Sequence, residues 1–145
     1  MKIIICSSID FTDKIKEVRD ELVALGHDAH IPFTSSRIIG GEFTLEEFQA
    51  EKEVYGDGSF RKVQDDVIRK YFELIKSADA VLIVNEEKKG IAGYIGGNTF
   101  LEMGFAHVLG KKIFVCNEVA KMPYYDELVA MLPMVINDDW SKLVE

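Results

Sequence analysis

Glu102 is a carboxylate whose type and place could do chemistry, on a helix that follows a glycine-rich loop. The stretch NEEKKGIAGYIGGNTFLEMGFAHVLGKK sets Gly93, Gly96 and Gly97 ahead of a helix expected to begin around Asn98. Glycine lets backbone approach a ligand closely, and free N–H groups at a helix start attract anions. The same glycines would also serve a plain turn. Their spacing is neither a Walker lysine loop nor GxGxxG, which sets aside a P-loop and a dinucleotide fingerprint. Stepping about 100° per residue puts Glu102 beside the apolar stripe of Leu101, Phe105, Val108 and Leu109. A carboxylate at that edge faces the crevice above the strands. Thr99-Phe100-Leu101-Glu102 also spells a capping box, in which the glutamate only bonds back to the cap residue. Spacing leaves both readings open. His107 lies about 140° around the helix from Glu102, so the two do not pair, and His27 and His30 show no ligand spacing.

The elements that must hold such a site are legible as short apolar runs alternating with helical patterns. Residues 2–6, 80–84, 112–116 and 134–136, with a weaker run at 28–32, read as buried parallel strands. Residues 13–25 space Ile15, Val18, Leu22 and Leu25 for a helix that stops at Gly26. Residues 60–76 do the same with Val63, Val67, Tyr71, Leu74 and Ile75, and 99–109 and 124–131 complete the set. The alternation predicts a parallel α/β sheet of about five strands with right-handed crossovers. Ligands of such sheets bind beyond the carboxyl ends of the strands. That rule selects Cys6-Ser7-Ser8, residues 85–97 and residues 117–123. A segment around 34–58 breaks the alternation. Its Glu42, Glu46, Glu47, Glu51 and Glu53 outweigh one lysine, and it reads as a helical insertion, either a lid or partner contact or a solvated excursion. The expected organisation is one domain over 1–145.

Composition narrows the partners. The chain has 145 residues, 48% apolar and 29% charged, which suffices for a core. Its 17 basic and 25 acidic residues give a net charge of −8. That balance argues against a nucleic-acid polymer, which needs a basic face, and leaves a mononucleotide open. No apolar run reaches the ~18 residues of a membrane span, so no membrane partner is expected. The apolar core of MKIIICSSID is shorter than the ~7 residues a secretory signal needs, so a cytoplasmic protein is expected. Cys6 and Cys116 are then expected as buried reduced thiols, and no zinc spacing or other metal site is present.

The stretch ADAVLIVNEEKKGIAGYIGGNTFLEMGFAHVLGKKIFV resembles the nucleoside 2-deoxyribosyltransferase superfamily, in its longer YIGGNTFLE form. The matching features are Ala78-Asp79 before a buried strand, Gly96-Gly97, the E-x-G-x-A of Glu102 to Ala106, and Gly110-Lys111. The resemblance covers about residues 60–116 well and the first strand and helix loosely. It implies a flavodoxin-like, Rossmann-like three-layer sandwich and cleavage or transfer at the N-glycosidic bond of a nucleoside or nucleotide. Glu102 would attack the anomeric carbon, giving a glycosyl-enzyme intercepted by another base or by water, with no cofactor. Ser7 and Ser8 map to residues that orient the sugar, and Asn98 to a sugar contact or helix cap. Asn85 or Glu86 would serve at the strand end. Members commonly form homo-oligomers with shared sites, and Tyr124, Tyr125 and Met131 suit a core, an interface or a base stack. Two positions depart from the family pattern. Tyr71 stands where an acidic residue is usual, eight residues before Asp79, and would be the proton donor. Gly96 stands six residues before Glu102, in place of an acid or serine. Those departures keep a second reading in play, a non-catalytic protein on the same fold that binds a nucleotide or sugar phosphate.

Overall fold

The computed structural model describes residues 1–55 and 66–144. Among them, five parallel strands pair in the order β2-β1-β3-β4-β5. They are β1 (Lys2–Ser7), β2 (Asp28–His30), β3 (Ala80–Val84), β4 (Lys112–Val115) and β5 (Met134–Val135). The residues from Ile3 to Cys6 and from Ala80 to Val84 are at most 1% exposed, which explains their unbroken apolar character. The two-residue period of a strand deals their side chains to opposite faces. Ile4, Cys6, Val81, Ile83, Ile113 and Val115 build one core. Ile3, Ile5, Leu82, Val84, Phe114 and Cys116 build the other.

Helices cover both faces. Among the described residues they are α1 (Thr12–Ala24), α2 (Phe33–Ile39), α3 (Leu45–Tyr55), α4 (Val67–Lys76), α5 (Gly97–Val108) and α6 (Tyr125–Ala130). α1 lays Ile15, Val18 and Leu22 on the second core, where Trp140 and Leu143 join it. α4, α5 and α6 bring Tyr71, Ile75, Met103, Ala106 and Leu128 to the first. This is the three-layer α/β sandwich expected, with the strand order of flavodoxin-like folds. Both cysteines are free and buried, one in each core. No helix of the described residues is long and apolar enough to cross a membrane.

The insertion differs from expectation. Its described residues hold two helices, because two start signals lie among them. Pro32 ends the second strand early and stands at the N-cap of α2, its fixed φ of −53° already suited to a turn into helix. Thr44 then begins α3 with a true capping box: its Oγ1 accepts from Glu47 N at 3.1 Å, and Thr44 N donates to the Glu47 carboxylate at 3.3 Å. Phe43 and Phe48 stack across that cap at 5.9 Å, the accompanying hydrophobic staple. Residues 56–58 of the expected insertion and 60–65 of the helix expected over 60–76, Val63 included, lie outside the described residues.

Gly93 fixes how two loops meet at the carboxyl edge of the sheet. Its φ is +74°, and a Cβ built there would lie 2.0 Å from the Glu118 carbonyl oxygen. Its own carbonyl accepts from Ala120 N at 3.1 Å. A side chain would both strain the backbone and push the loops apart. Gly93→Ala is therefore expected to destabilise the fold by about 2–4 kcal/mol, read as a lower urea midpoint at unchanged slope.

Candidate active site

The crevice rule points to the carboxyl ends of β1 and β3, where the strand order reverses. Ser7 ends β1 there, and its hydroxyl donates to the Val84 carbonyl at 2.7 Å, tying the two strand ends together. Ser8 Oγ accepts from Asp10 N at 3.4 Å and from Lys88 Nζ at 3.1 Å. Lys88 reaches Ser8 because Lys89 and Gly90, at φ +54° and +74°, make a two-residue reversal in which Lys88 and Ile91 exchange backbone hydrogen bonds. Positive φ at both central residues is the type I′ signature. The same ammonium pairs with Asp10 at 2.5 Å, and Gln49 of α3 donates to the other Asp10 oxygen at 2.8 Å. One polar thread thus fastens the insertion over the switch point.

Asn85 is fully buried, and its carboxamide is spent inside the protein. It donates to the Asn117 carbonyl at 2.9 Å and accepts from Asn117 N at 2.9 Å, while the Asn117 side chain donates back to the Asn85 carbonyl at 3.0 Å. The expected substrate contact is instead a clamp between the β3 and β4 loops. Glu86 accepts from the same Asn117 carboxamide at 3.3 Å.

Glu102 lies elsewhere on this edge, in a cleft between α4 and α5. Val67, Ile68, Tyr71, Asn98, Leu101, Glu102 and Phe105 line it, with room for about one water molecule in some 20 Å³. The capping-box expectation for Glu102 is overturned. Gly96 is the N-cap, α5 starts at Gly97, and no side chain caps it. Thr99 is 3% exposed inside the first turn, and Glu102 sits one turn further on. Asn98, also considered as a cap, is the second residue of the helix and lines the cleft. Gly96 and Gly97 therefore supply the helix start beside the cleft.

Tyr71 is brought to Glu102 as expected, but its phenol is already committed. Its hydroxyl donates to the Ile5 carbonyl, and the Phe33 ring of α2 meets its ring edge-on at 5.6 Å. Burial pushes the phenol well above its ordinary pKa, and the nearby Cys6 and Glu102 push it the same way. The proton expected for a leaving group is held by the backbone, so Tyr71 forms a wall of the cleft. Cys6, read from sequence only as a core thiol, stands against Glu102. Burial raises its pKa well above the ordinary value, and the Glu102 carboxylate adds to this by its charge and by accepting the thiol's hydrogen bond. The strand parity shared with Ile4 is the signal that places Cys6 on the α4–α5 face. For Asp10, Lys88 and Gln49 no local signal exists, since their partners are far away in the chain. No cluster of three or more His, Cys, Asp and Glu among the described residues is placed to hold a metal ion.

No protein-family model and no curated protein matches the chain. Among solved structures it is similar to the 2-deoxyribosyltransferase of the psychrotolerant bacterium Bacillus psychrosaccharolyticus, a biocatalyst for the synthesis of nucleosides. The TM-score is 0.53 at 20% identity, over 84% of this chain and 76% of that one. The likeness at this identity is one of fold.

The Asp10 contacts carry a pH dependence of known sign. Burial alone would raise the Asp10 pKa, but hydrogen bonds from Lys88 and Gln49 and the charges of Lys88 and Lys52 outweigh it and hold the carboxyl below its ordinary value. A depressed folded value contributes stability above the unfolded pKa, near ~3.9, and loses it as pH falls through the folded one. Asp10→Asn is expected to flatten that part of the stability profile between neutral pH and acid. About a quarter of each side chain remains exposed, so solvent screens the pair and the change is about 1 kcal/mol.

Proposed function

We propose that this protein transfers or hydrolyses the glycosyl group of a nucleoside or nucleotide, as a member of the nucleoside 2-deoxyribosyltransferase superfamily. One observation carries the reading: a half-buried Glu102 carboxylate, one turn past the capping position, lies in a cleft at the start of α5 on the carboxyl edge of the sheet. The shared fold with a 2-deoxyribosyltransferase supports it.

In this mechanism a Glu102 oxygen forms a bond to the anomeric carbon as the C–N bond breaks, and the base leaves with the bonding pair. Water or a second base then attacks the glycosyl ester and releases Glu102. Among the described residues lining the cleft, Glu102 is the one carboxylate. A nucleobase spreads the departing charge over its ring and needs less acid help than an alcohol, so its proton comes from solvent rather than from Tyr71. The apolar walls of Val67, Ile68, Leu101 and Phe105 strengthen the carboxylate's electrostatic hold on the oxocarbenium-like sugar by excluding water. Room for about one water molecule does not admit a sugar, so the half-exposed rim side chains Ile68 and Leu101 must turn aside on binding. Asn98, which lines the cleft, is the polar group to meet the sugar, whereas Ser7 and Ser8 are engaged with Val84 and Lys88. The exposed apolar rim also suits a second copy of the chain, and light scattering is expected to return a multiple of 16.4 kDa.

The test is base release from a panel of ribo- and deoxynucleosides and their 5′-monophosphates, each with and without an acceptor base. Release is expected in wild type and is expected to fall by about 10³-fold or more in Glu102→Gln. Acceptor dependence separates transfer from hydrolysis. A folded protein whose melting temperature rises with a nucleoside but which releases no base under any condition would establish the binding-only reading instead.

A further inference from the structure

We propose that the amino edge of the sheet carries a second binding site, an apolar pocket with one lysine at its mouth that takes a small alkyl carboxylate. The site lies at the far end of the sheet from the Glu102 cleft and does not rest on the proposed reaction.

The pocket opens where β4 and β5 begin and α6 ends. It encloses about 190 Å³, against some 20 Å³ beside Glu102. Met131, Leu132, Met134 and Val144 give it apolar walls, and Lys111 and Lys112 line it as well. Leu132, Met134 and Val144 all leave large apolar side chains exposed here. Leu132 is the clearest case. It follows the end of α6 at φ +53°, a left-handed position that glycine usually takes at such a point. Its side chain is 81% exposed. The fold thus holds a leucine out to solvent, on backbone that does not suit it, beside a cavity that apolar atoms would fill.

Charge selects the head of the ligand. The chain has 25 acidic against 17 basic residues, yet the residues lining this pocket include two lysines and no acid. Lys112 is committed, its Nζ donating to the Val144 carbonyl at 2.8 Å. Among the described residues nothing pairs with the Lys111 ammonium. Nor does α5 need it as a cap. The backbone N–H groups of Gly110 and Lys111 already bond the His107 and Ala106 carbonyls, at 3.0 and 2.8 Å. One unpaired ammonium calls for one negative charge. Both α5 and α6 end at this edge, and the partial negative charge of helix carboxyl ends disfavours a dianion such as phosphate. The cavity is smaller than the ~300 Å³ at which drug-sized sites begin, which sets the tail at a short alkyl chain. Met131 and Met134 are flexible enough to pack around it.

The test is two-dimensional amide NMR of the intact protein titrated with octanoate, with octan-1-ol and acetate as neutral and tailless controls. Octanoate is expected to shift the Lys111, Leu132, Met134 and Val144 amides saturably and to leave those of Asn98 and Glu102 in place. Octan-1-ol is expected to bind about 5- to 10-fold more weakly, and acetate not to bind. Lys111→Met, which keeps the apolar stem, is expected to reduce octanoate to the affinity of the alcohol. Leu132→Asn puts a residue tolerant of left-handed backbone at the rim, so it removes apolar surface without unfolding the chain. It is expected to weaken both ligands. No saturable shift below about 10 mM octanoate, or shifts spread over the whole surface, would overturn the site. So would acetate binding as tightly as octanoate, or equal octanoate affinity in wild type and Lys111→Met.

Discussion

β1 and β3 pair in parallel with apolar layers on both sides, and every later feature answers to that burial. Five residue pairs, from Ile3 with Ala80 to Ser7 with Val84, lie in register. Backbone polar groups in such a pairing are satisfied by the ladder, but where the strands end the satisfaction must come from elsewhere. Ser7 supplies it to Val84 through its hydroxyl, and Asn85 and Asn117 supply it to each other across the β3 and β4 loops. Polar residues at the carboxyl edge are thus drawn into the framework first. Glu102 lines the cleft on α5, and Cys6 of β1 lies near it.

The sheet was legible because its signal is local. Each strand is a short β-branched or aromatic run, and the period of two alone sorts Ile4 and Cys6 from Ile3 and Ile5. Helix starts were less legible, and two occurrences of one pattern show why. Thr44-Leu45-Glu46-Glu47 and Thr99-Phe100-Leu101-Glu102 both read T-x-x-E. The first is a capping box, made firm by the Phe43–Phe48 staple across it. In the second, Gly96 takes the cap and burial draws Thr99 into the first turn, so the glutamate stands one turn past the position that a capping box needs. Tertiary packing decided between identical strings.

Side-chain partners distant in sequence were not legible at all. Asp10, Gln49 and Lys88 meet only because β1 and β3 are neighbours and α3 folds back over them. Asn85 was visible as a polar residue at a strand end, but its clamp on Asn117 depends on β4 lying alongside. Tyr71 was placed correctly beside Glu102, yet the fate of its hydroxyl turned on which carbonyl β1 presents. In each case the residue's position followed from the pattern of elements, while its chemistry followed from one neighbour.

The contact that forces glycine at residue 93 has a mechanical side. The β3–α5 and β4–α6 loops touch there backbone to backbone, the Asn85–Asn117 clamp binds them again, and Tyr124 bonds to the Ile95 carbonyl while stacking on Phe100 at 4.6 Å. Four ties make the two loops and the start of α5 one rigid abutment. Glu102 is carried on that fixed part. α4 faces it across the cleft with no side-chain cap on its first turn. Admission of anything larger than water therefore falls to the rim side chains, Ile68 on α4 and Leu101 on α5, while the backbone that carries the carboxylate stays in place like an anvil.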